Sequence, residues 1–335
     1  MGFSEKLLVG PRGSNIDSRI ASTTPGATSE KAAIAATEKI AKKIRALQLQ
    51  LYAEGRQSLL IVLQGMDAAG KDGTIKHVFG MMNPQGCTVS SFKQPTPLEQ
   101  RHDFLWRVHP HAPARGEVAI FNRSHYEDVL IARVHQLCPK AQINERYEQI
   151  NQFEALLASQ ANTRVLKFFL HISREEQLAR FAARLDDPAK NWKISSSDYS
   201  ERQHWDAYRE AYQIALKKTS TDAAPWFVIP ADNKWYRNYA VANIVLEALE
   251  SMSPQIPAPS VDLPTVHEEF HNAVLQEIRM GRVKPLAKAM DRVMASSEQK
   301  ALLGDRTLEE IHAIAQEAHQ PGKKKPAKQA GKQRK

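Results

Sequence analysis

Apolar residues fall along this chain in two alternating patterns. Short continuous apolar runs occur at Ser58–Gln64, Cys87–Phe92, Glu117–Asn122, Val165–Ile172 and Trp226–Ile229. Their length and their enrichment in Val, Ile and Phe predict strands buried on both faces. Between them, apolar residues recur at helical spacing over Lys71–Met82, Leu98–Val108, Tyr126–Gln160, Glu175–Leu185, Asp198–Lys217 and Tyr236–Ser251. A further helix over residues 29–54 precedes the first strand. Strands alternating with helices predict a five-stranded, mainly parallel sheet covered on both faces, a three-layer α/β/α sandwich. Ligands then belong at the carboxyl ends of the strands.

Outside this pattern the chain reads differently. Residues 1–28 carry Gly10, Pro11, Gly13, Pro25 and Gly26 without periodicity, and predict an extended arm. Pro254, Pro257, Pro259 and Pro264 predict a stiff linker over 254–264 after a core domain of residues 29–253. Two or three further helices are expected over 265–318. Residues 319–335 predict a disordered basic tail.

Composition narrows the class. A chain of 335 residues with 42% hydrophobic content sustains one large core plus appendages. No apolar run reaches membrane-spanning length, and the start lacks a signal-peptide pattern. Cys87 and Cys138 form no C-x-x-C spacing, so reduced thiols and a cytoplasmic setting are expected. Much of the net charge of +9 lies in Lys323, Lys324, Lys325, Lys328, Lys332, Arg334 and Lys335, which leaves the body nearly balanced. Such a tail holds anionic polymers by counterion release, or serves solubility alone.

The candidate chemistry begins where the first strand ends. Gly65, Gly70 and Lys71 hold the spacing G-x-x-x-x-G-K between a strand and a helix. Glycines allow a tight turn whose N–H groups converge on phosphate oxygens, and the following helix adds its positive end. Residues Gly65, Ala68, Ala69, Gly70, Lys71, Asp72, Gly73 and Thr74 are therefore the phosphate-binding candidates, with Lys71 on the transferring group. Asp72 stands where Ser or Thr ordinarily meets Mg²⁺, and Asp67 lies inside the loop. An acid facing phosphates implies a cation between them, unless Asp67 merely caps the helix.

A second cluster, Asn122–Asp128, follows the third strand. Arg123 has the fork geometry for phosphate. Glu127 and Asp128 offer carboxylates to a metal, and Asn122 offers a neutral oxygen or amide. His125 is expected to be structural or supporting. A third segment, Arg180–Asp198, places Arg180 and Arg184 on one helix face and follows them with Lys190, Trp192 and Lys193. It predicts a mobile lid that closes over phosphates. Lys93, past the second strand, completes the phosphate-binding set.

GMDAAGKDG (Gly65–Gly73), NRSHYED (Asn122–Asp128) and RLDDPAKNWKISSSD (Arg184–Asp198) together resemble the polyphosphate kinase 2 family over about residues 30–250. The resemblance implies a phosphate-loop kinase fold like that of thymidylate kinases, with a helical lid. It implies phosphoryl transfer from inorganic polyphosphate to an adenine nucleotide with Mg²⁺, or Mn²⁺ in its place. Many members have Asp, Trp, Asn and Arg where this chain has Asn122, His125, Glu127 and Asp128. That pattern is similar to class III, whose members convert AMP to ADP and ADP to ATP. Asn122 removes a usual metal ligand, and Glu127, one turn on, is its natural replacement. In that scheme Asp67 and Glu127 or Asp128 hold the metal, Arg123 orients donor and acceptor phosphates, and Arg180 or Arg184 stabilises the equatorial oxygens. The alternatives are an ATP-dependent nucleoside monophosphate kinase, which Asp72 and the Asn122–Asp128 sequence oppose, and a protein that binds polyphosphate or nucleic acid through its tail. Nucleic acid is not expected elsewhere. A dimer or tetramer is expected, with the arm and C-terminal helices as contact surface.

Overall fold

The computed structural model describes residues 2–10, 15–282 and 288–289. In chain order the main elements are α1 (Glu30–Glu54), β1 (Ser58–Gln64), α2 (Lys71–Thr74), β2 (Cys87–Ser91), β3 (Val118–Asn122), α3 (Glu127–Val134), α4 (Lys140–Gln160), β4 (Thr163–His171), α5 (Arg174–Leu185), α6 (Ser196–Gln203), α7 (Trp205–Thr219), β5 (Trp226–Pro230), α8 (Lys234–Met252) and α9 (Leu263–Arg279). The helix of α2 continues as a wider turn over Ile75–Phe79. The strands form one sheet in the order β2-β3-β1-β4-β5, and all four pairings are parallel.

Every residue of β1 is buried, because this strand lies at the centre of the sheet with helices on both sides. The two-residue period sends Leu59, Ile61 and Leu63 to one face, in a core shared with Ile44 and Leu51 of α1 and Val241 and Val245 of α8. Leu60 and Val62 point to the other face, with Val129 of α3, Phe153 of α4 and Leu216 of α7. The carboxyl ends of β1, β3, β4 and β5 therefore share one edge of the sandwich, where the loops gather.

Three expectations about local structure are corrected. Leu98–Val108 is not an α-helix. The Asp103 carboxylate accepts from the N–H groups of Leu105 and Trp106 and closes a local turn that competes with the helix. Tyr126–Gln160 is two helices, since Gln136 is left-handed at φ 53 and Pro139 precedes α4. Asp198–Lys217 also divides, at His204, as the chain turns to bury Trp205. The N-terminal segment packs on the core. Leu7, Val9 and Ile16 are buried, and Val9 N–H bonds the Trp226 carbonyl at 2.8 Å, so the segment covers the β5 edge.

One buried polar cluster crosses the second core. The Lys167 ammonium, on β4, donates to Glu154 of α4 at 2.6 Å, to the Thr219 carbonyl at 2.6 Å and to the Tyr126 hydroxyl at 2.9 Å. His125 Nε2 lies 3.2 Å from the same glutamate. This pair anchors the segment after β3 to the sheet. His125 is thus a supporting residue, as the sequence suggests.

Residues 253–262 have no regular secondary structure, and α9 belongs to a second compact unit that begins at Ala258. The basic tail and most of the expected C-terminal helices lie outside the described residues. Among the described residues no helix is long and apolar enough to cross a membrane. Removing one member of the buried pair strands the other charge. Lys167→Met should cost about 3–5 kcal/mol in denaturant unfolding, and Lys167→Met with Glu154→Leu should recover most of that loss.

Candidate active site

The loop between β1 and α2 is the centre of the site. Gly65 leaves the strand where any Cβ would sit 2.9 Å from the Leu170 carbonyl, so only glycine fits there. Ala68 takes the left-handed conformation at φ 60, a strain that function-bearing loops often hold. Lys71 folds back over the loop, its ammonium 2.7 Å from the Gly65 carbonyl and 3.4 Å from that of Met66. Its side chain is only 9% exposed, and burial followed by the charge of Arg123 lowers its pKa to about 8. Thr74, fully buried, gives its hydroxyl to the Gly70 carbonyl, so it serves the helix turn instead of a metal.

Beyond β3 the chain turns on Arg123, also left-handed at φ 63. The turn brings its guanidinium 2.9 Å from Asp67 and 3.8 Å from Glu127. Two carboxylates thus share one arginine beside the loop. Burial raises the Glu127 pKa against the pull of Arg123 and Lys71. Gln177, Trp205, Tyr208 and Tyr212 also line this cleft. Tyr208 and Tyr212 lie four apart on α7 and face the same side, a spacing that ordinary core packing produces as well.

Several expected site residues stand elsewhere. Asp128 faces away from Asp67 and pairs with Arg107 at 3.5 Å and Arg146 at 3.9 Å, because consecutive helix positions diverge by about 100°. It is not a metal ligand here. The Asp72 side chain does not face the loop interior. It accepts from Asn122 Nδ2 at 2.9 Å and lies 3.5 Å from Lys193. Through its Nδ2, Asn122 therefore holds the same carboxylate that meets Lys193 of the lid segment. Arg180 is not a free lid arginine. All five of its N–H donors go to Glu176 and to the carbonyls of Ala68, Ala69, Ala231 and Asp232. Arg184 is half-exposed and gives one N–H to the Lys193 carbonyl. Lys190 pairs with Asp187, and Lys93 is exposed with its carbonyl held by Arg107. Arg237 was not expected. Its guanidinium lies against Gly70 and Gly73, reached from a helix far along the chain.

Asp67 and Glu127 are the oxygen donors that fit a metal. Among the described residues no three acidic, His or Cys side chains gather for one. Two carboxylates suit Mg²⁺, which takes its remaining ligands from phosphates and water.

A phosphate loop, a parallel sheet and an arginine held between two acids define a phosphoryl-transfer site of the kinase type. The model of the family described as Polyphosphate kinase 2 (PPK2) matches residues 27–257, and the chain belongs to that family. It is 50% identical over 230 residues to AMP/ADP-polyphosphate phosphotransferase of Meiothermus ruber, covering 69% of this chain and 86% of the relative. It is 45% identical over 228 residues to ADP-polyphosphate phosphotransferase of Rhodopseudomonas palustris, covering 64% and 78%. The crystal structure of polyphosphate kinase 2 from Arthrobacter aurescens TC1 superposes with a TM-score of 0.78 at 42% identity, over 81% of this chain and 96% of that one.

The unfolded chain holds the Lys71 proton to its ordinary value of 10.5, the folded chain only to about 8. Between those values the unfolded state binds more protons, so stability rises with pH across the window and the penalty is full below it. Relative to Lys71→Met, which lacks this titration and removes turnover, the wild-type protein should therefore gain about 1–3 kcal/mol of stability between pH 8 and pH 10.5. Chemical denaturation of both proteins at several pH values measures it.

Proposed function

We propose that this chain transfers the terminal phosphoryl group of inorganic polyphosphate to AMP, giving ADP, and to ADP, giving ATP. The observation that carries the reading is Arg123, held between Asp67 and Glu127 at the mouth of the loop. The class III form of the second motif and the 50% identity to an AMP/ADP-polyphosphate phosphotransferase support it.

The chemistry asks for alignment and charge neutralisation more than for a covalent partner. The loop N–H groups and Lys71 bind the phosphoryl group in transit. A polyanion also raises the Lys71 pKa again and keeps it cationic. Arg123 bridges donor and acceptor phosphates and holds them in line. Asp67 and Glu127 would hold Mg²⁺, which when bound screens the phosphate oxygens from the two acids and from each other. The acceptor phosphate is already ionised at neutral pH, so no strong general base is required. Arg184 is the lid arginine with donors left for equatorial oxygens. Lys193, released from Asp72, follows the donor as the lid closes. The aromatic wall of Trp205, Tyr208 and Tyr212 excludes water from the cleft.

The competing reading is an ATP-dependent monophosphate kinase. It requires a hydroxyl after Lys71, where Asp72 binds Asn122 and Lys193 instead. Incubation of AMP, Mg²⁺ and long-chain polyphosphate without ATP, resolved by chromatography, should yield ADP and then ATP, and EDTA should stop both. Turnover only when ATP replaces polyphosphate would overturn the proposal. Deleting residues 319–335 should leave this activity intact while reducing salt-sensitive retention on immobilised polyphosphate. Loss of turnover on deletion would give the tail a catalytic part.

A further inference from the structure

Two arginines approach the phosphate loop from behind. Arg180 is 7% exposed and Arg237 3%. Arg180 Nη1 donates to the Ala68 carbonyl at 2.8 Å and the Ala69 carbonyl at 3.1 Å, and Arg237 Nη1 reaches the same Ala69 carbonyl at 3.4 Å. The fit is tight. A Cβ on Gly70 would lie 1.8 Å from Arg237 Nη1, and one on Gly73 would lie 3.0 Å from its Nη2. Gly70 is also left-handed at φ 106.

These cations are poorly neutralised. Glu176 pairs with Arg180 at 2.8 Å, but among the described residues no acid lies within ion-pair distance of Arg237. Its other donors meet the neutral Asn238 amide oxygen at 3.2 and 2.9 Å. Burial, then the charge of Arg180, brings the Arg237 pKa down to about 10. Gathering two like charges in a protein interior opposes folding, so packing alone is a weak reason for the arrangement.

Peptide geometry supplies a better one. In a trans peptide the C=O and the next N–H point in opposite directions. A carbonyl of Ala69 fixed on two guanidinium groups turns the Gly70 N–H away from them. The cations also sit at the negative end of that peptide dipole and strengthen its positive end. Resting on the phosphoryl-transfer reading above, we propose that Arg180 and Arg237 are positioning residues: a cationic brace that orients and polarises the phosphate loop through its peptide groups without touching phosphate. The brace is tied outward as well. Arg180 Nη2 holds the carbonyls of Ala231 and Asp232, and the N-terminal segment grips the same connection through Ala21, Ser22 and Pro25.

Arg237 gives the clean test, since it carries few bonds of its own. Wild type, Arg237→Met and Arg237→Lys are compared by AMP-dependent turnover with polyphosphate, and by melting with and without tripolyphosphate. Arg237→Met should lower kcat about 10- to 100-fold, with KM for AMP within about twofold and the free protein's Tm unchanged or higher. Its tripolyphosphate-induced rise in Tm should shrink. Arg237→Lys keeps the charge and should return kcat to within about threefold of wild type. Equal activity in all three proteins, or equal losses in Met and Lys together with a lowered Tm, would overturn the brace. A wild type that makes no ADP would sink the proposed function instead, and the tripolyphosphate shifts would then decide the brace alone.

Discussion

A phosphate loop works by turning N–H groups toward the anion and its carbonyls away from it. Here each carbonyl from Gly65 to Gly70 has a donor inside the protein. Lys71 takes those of Gly65 and Met66, Gln177 that of Asp67, Arg180 that of Ala68, Arg180 with Arg237 that of Ala69, and Thr74 that of Gly70. A buried carbonyl left without a donor would cost about 1–3 kcal/mol and would twist its peptide to find one. Filling the outer side of the loop with donors therefore fixes which way each peptide faces. The loop's shape is thus set by the side chains that hold its carbonyls.

The donors come from three helices that only the sheet brings together. Lys71 opens α2, Gln177 and Arg180 lie on α5, and Arg237 lies on α8. Parallel strands deliver the start of each following helix to the same edge. The register Val62↔Phe121 and Leu63↔Phe168 sets the ends of β3 and β4 beside the end of β1. From there Arg123 faces Asp67 without any long reach. The Lys167–Glu154 pair, with Tyr126 and His125, pins the far side of the same turn. Fold and site are held by one set of contacts at the carboxyl edge of the sheet.

What could be read from the sequence follows from the range of each interaction. Strands buried on both faces write themselves as apolar runs, so Ser58–Gln64 emerges with its bounds intact. The loop spacing is local, and so is the proximity of Arg123 and Glu127. Arg180 shows the limit. Helical spacing places it on a face with Arg184, but whether that face meets phosphate or the back of the loop depends on contacts over 111 and 112 positions. Arg237, acting across 168 positions, leaves no local trace. Asp128 and Glu127 are adjacent acids, and only the roll of α3 separates the one that lines the cleft from the one that pairs with Arg107. Leu98–Val108 has helical periodicity that the Asp103 side chain overrides by a bond two residues long.

The electrostatics tie these contacts to the reaction. The site holds Lys71, Arg123, Arg180 and Arg237 near one loop, and two of them release protons more readily than usual, near 8 and 10. Asp67 and Glu127 offset part of this charge, yet they repel the same phosphates the cations attract. The site is thus arranged to receive anionic charge. A single phosphate group answers little of that field. A donor with several phosphates in a row, accompanied by a cation for the two acids, satisfies the whole arrangement at once. The stability forgone in the free protein is then recovered where phosphate oxygens carry the most charge. Interactions of that kind strengthen as the phosphoryl group moves, and so they favour the transition state over the bound donor.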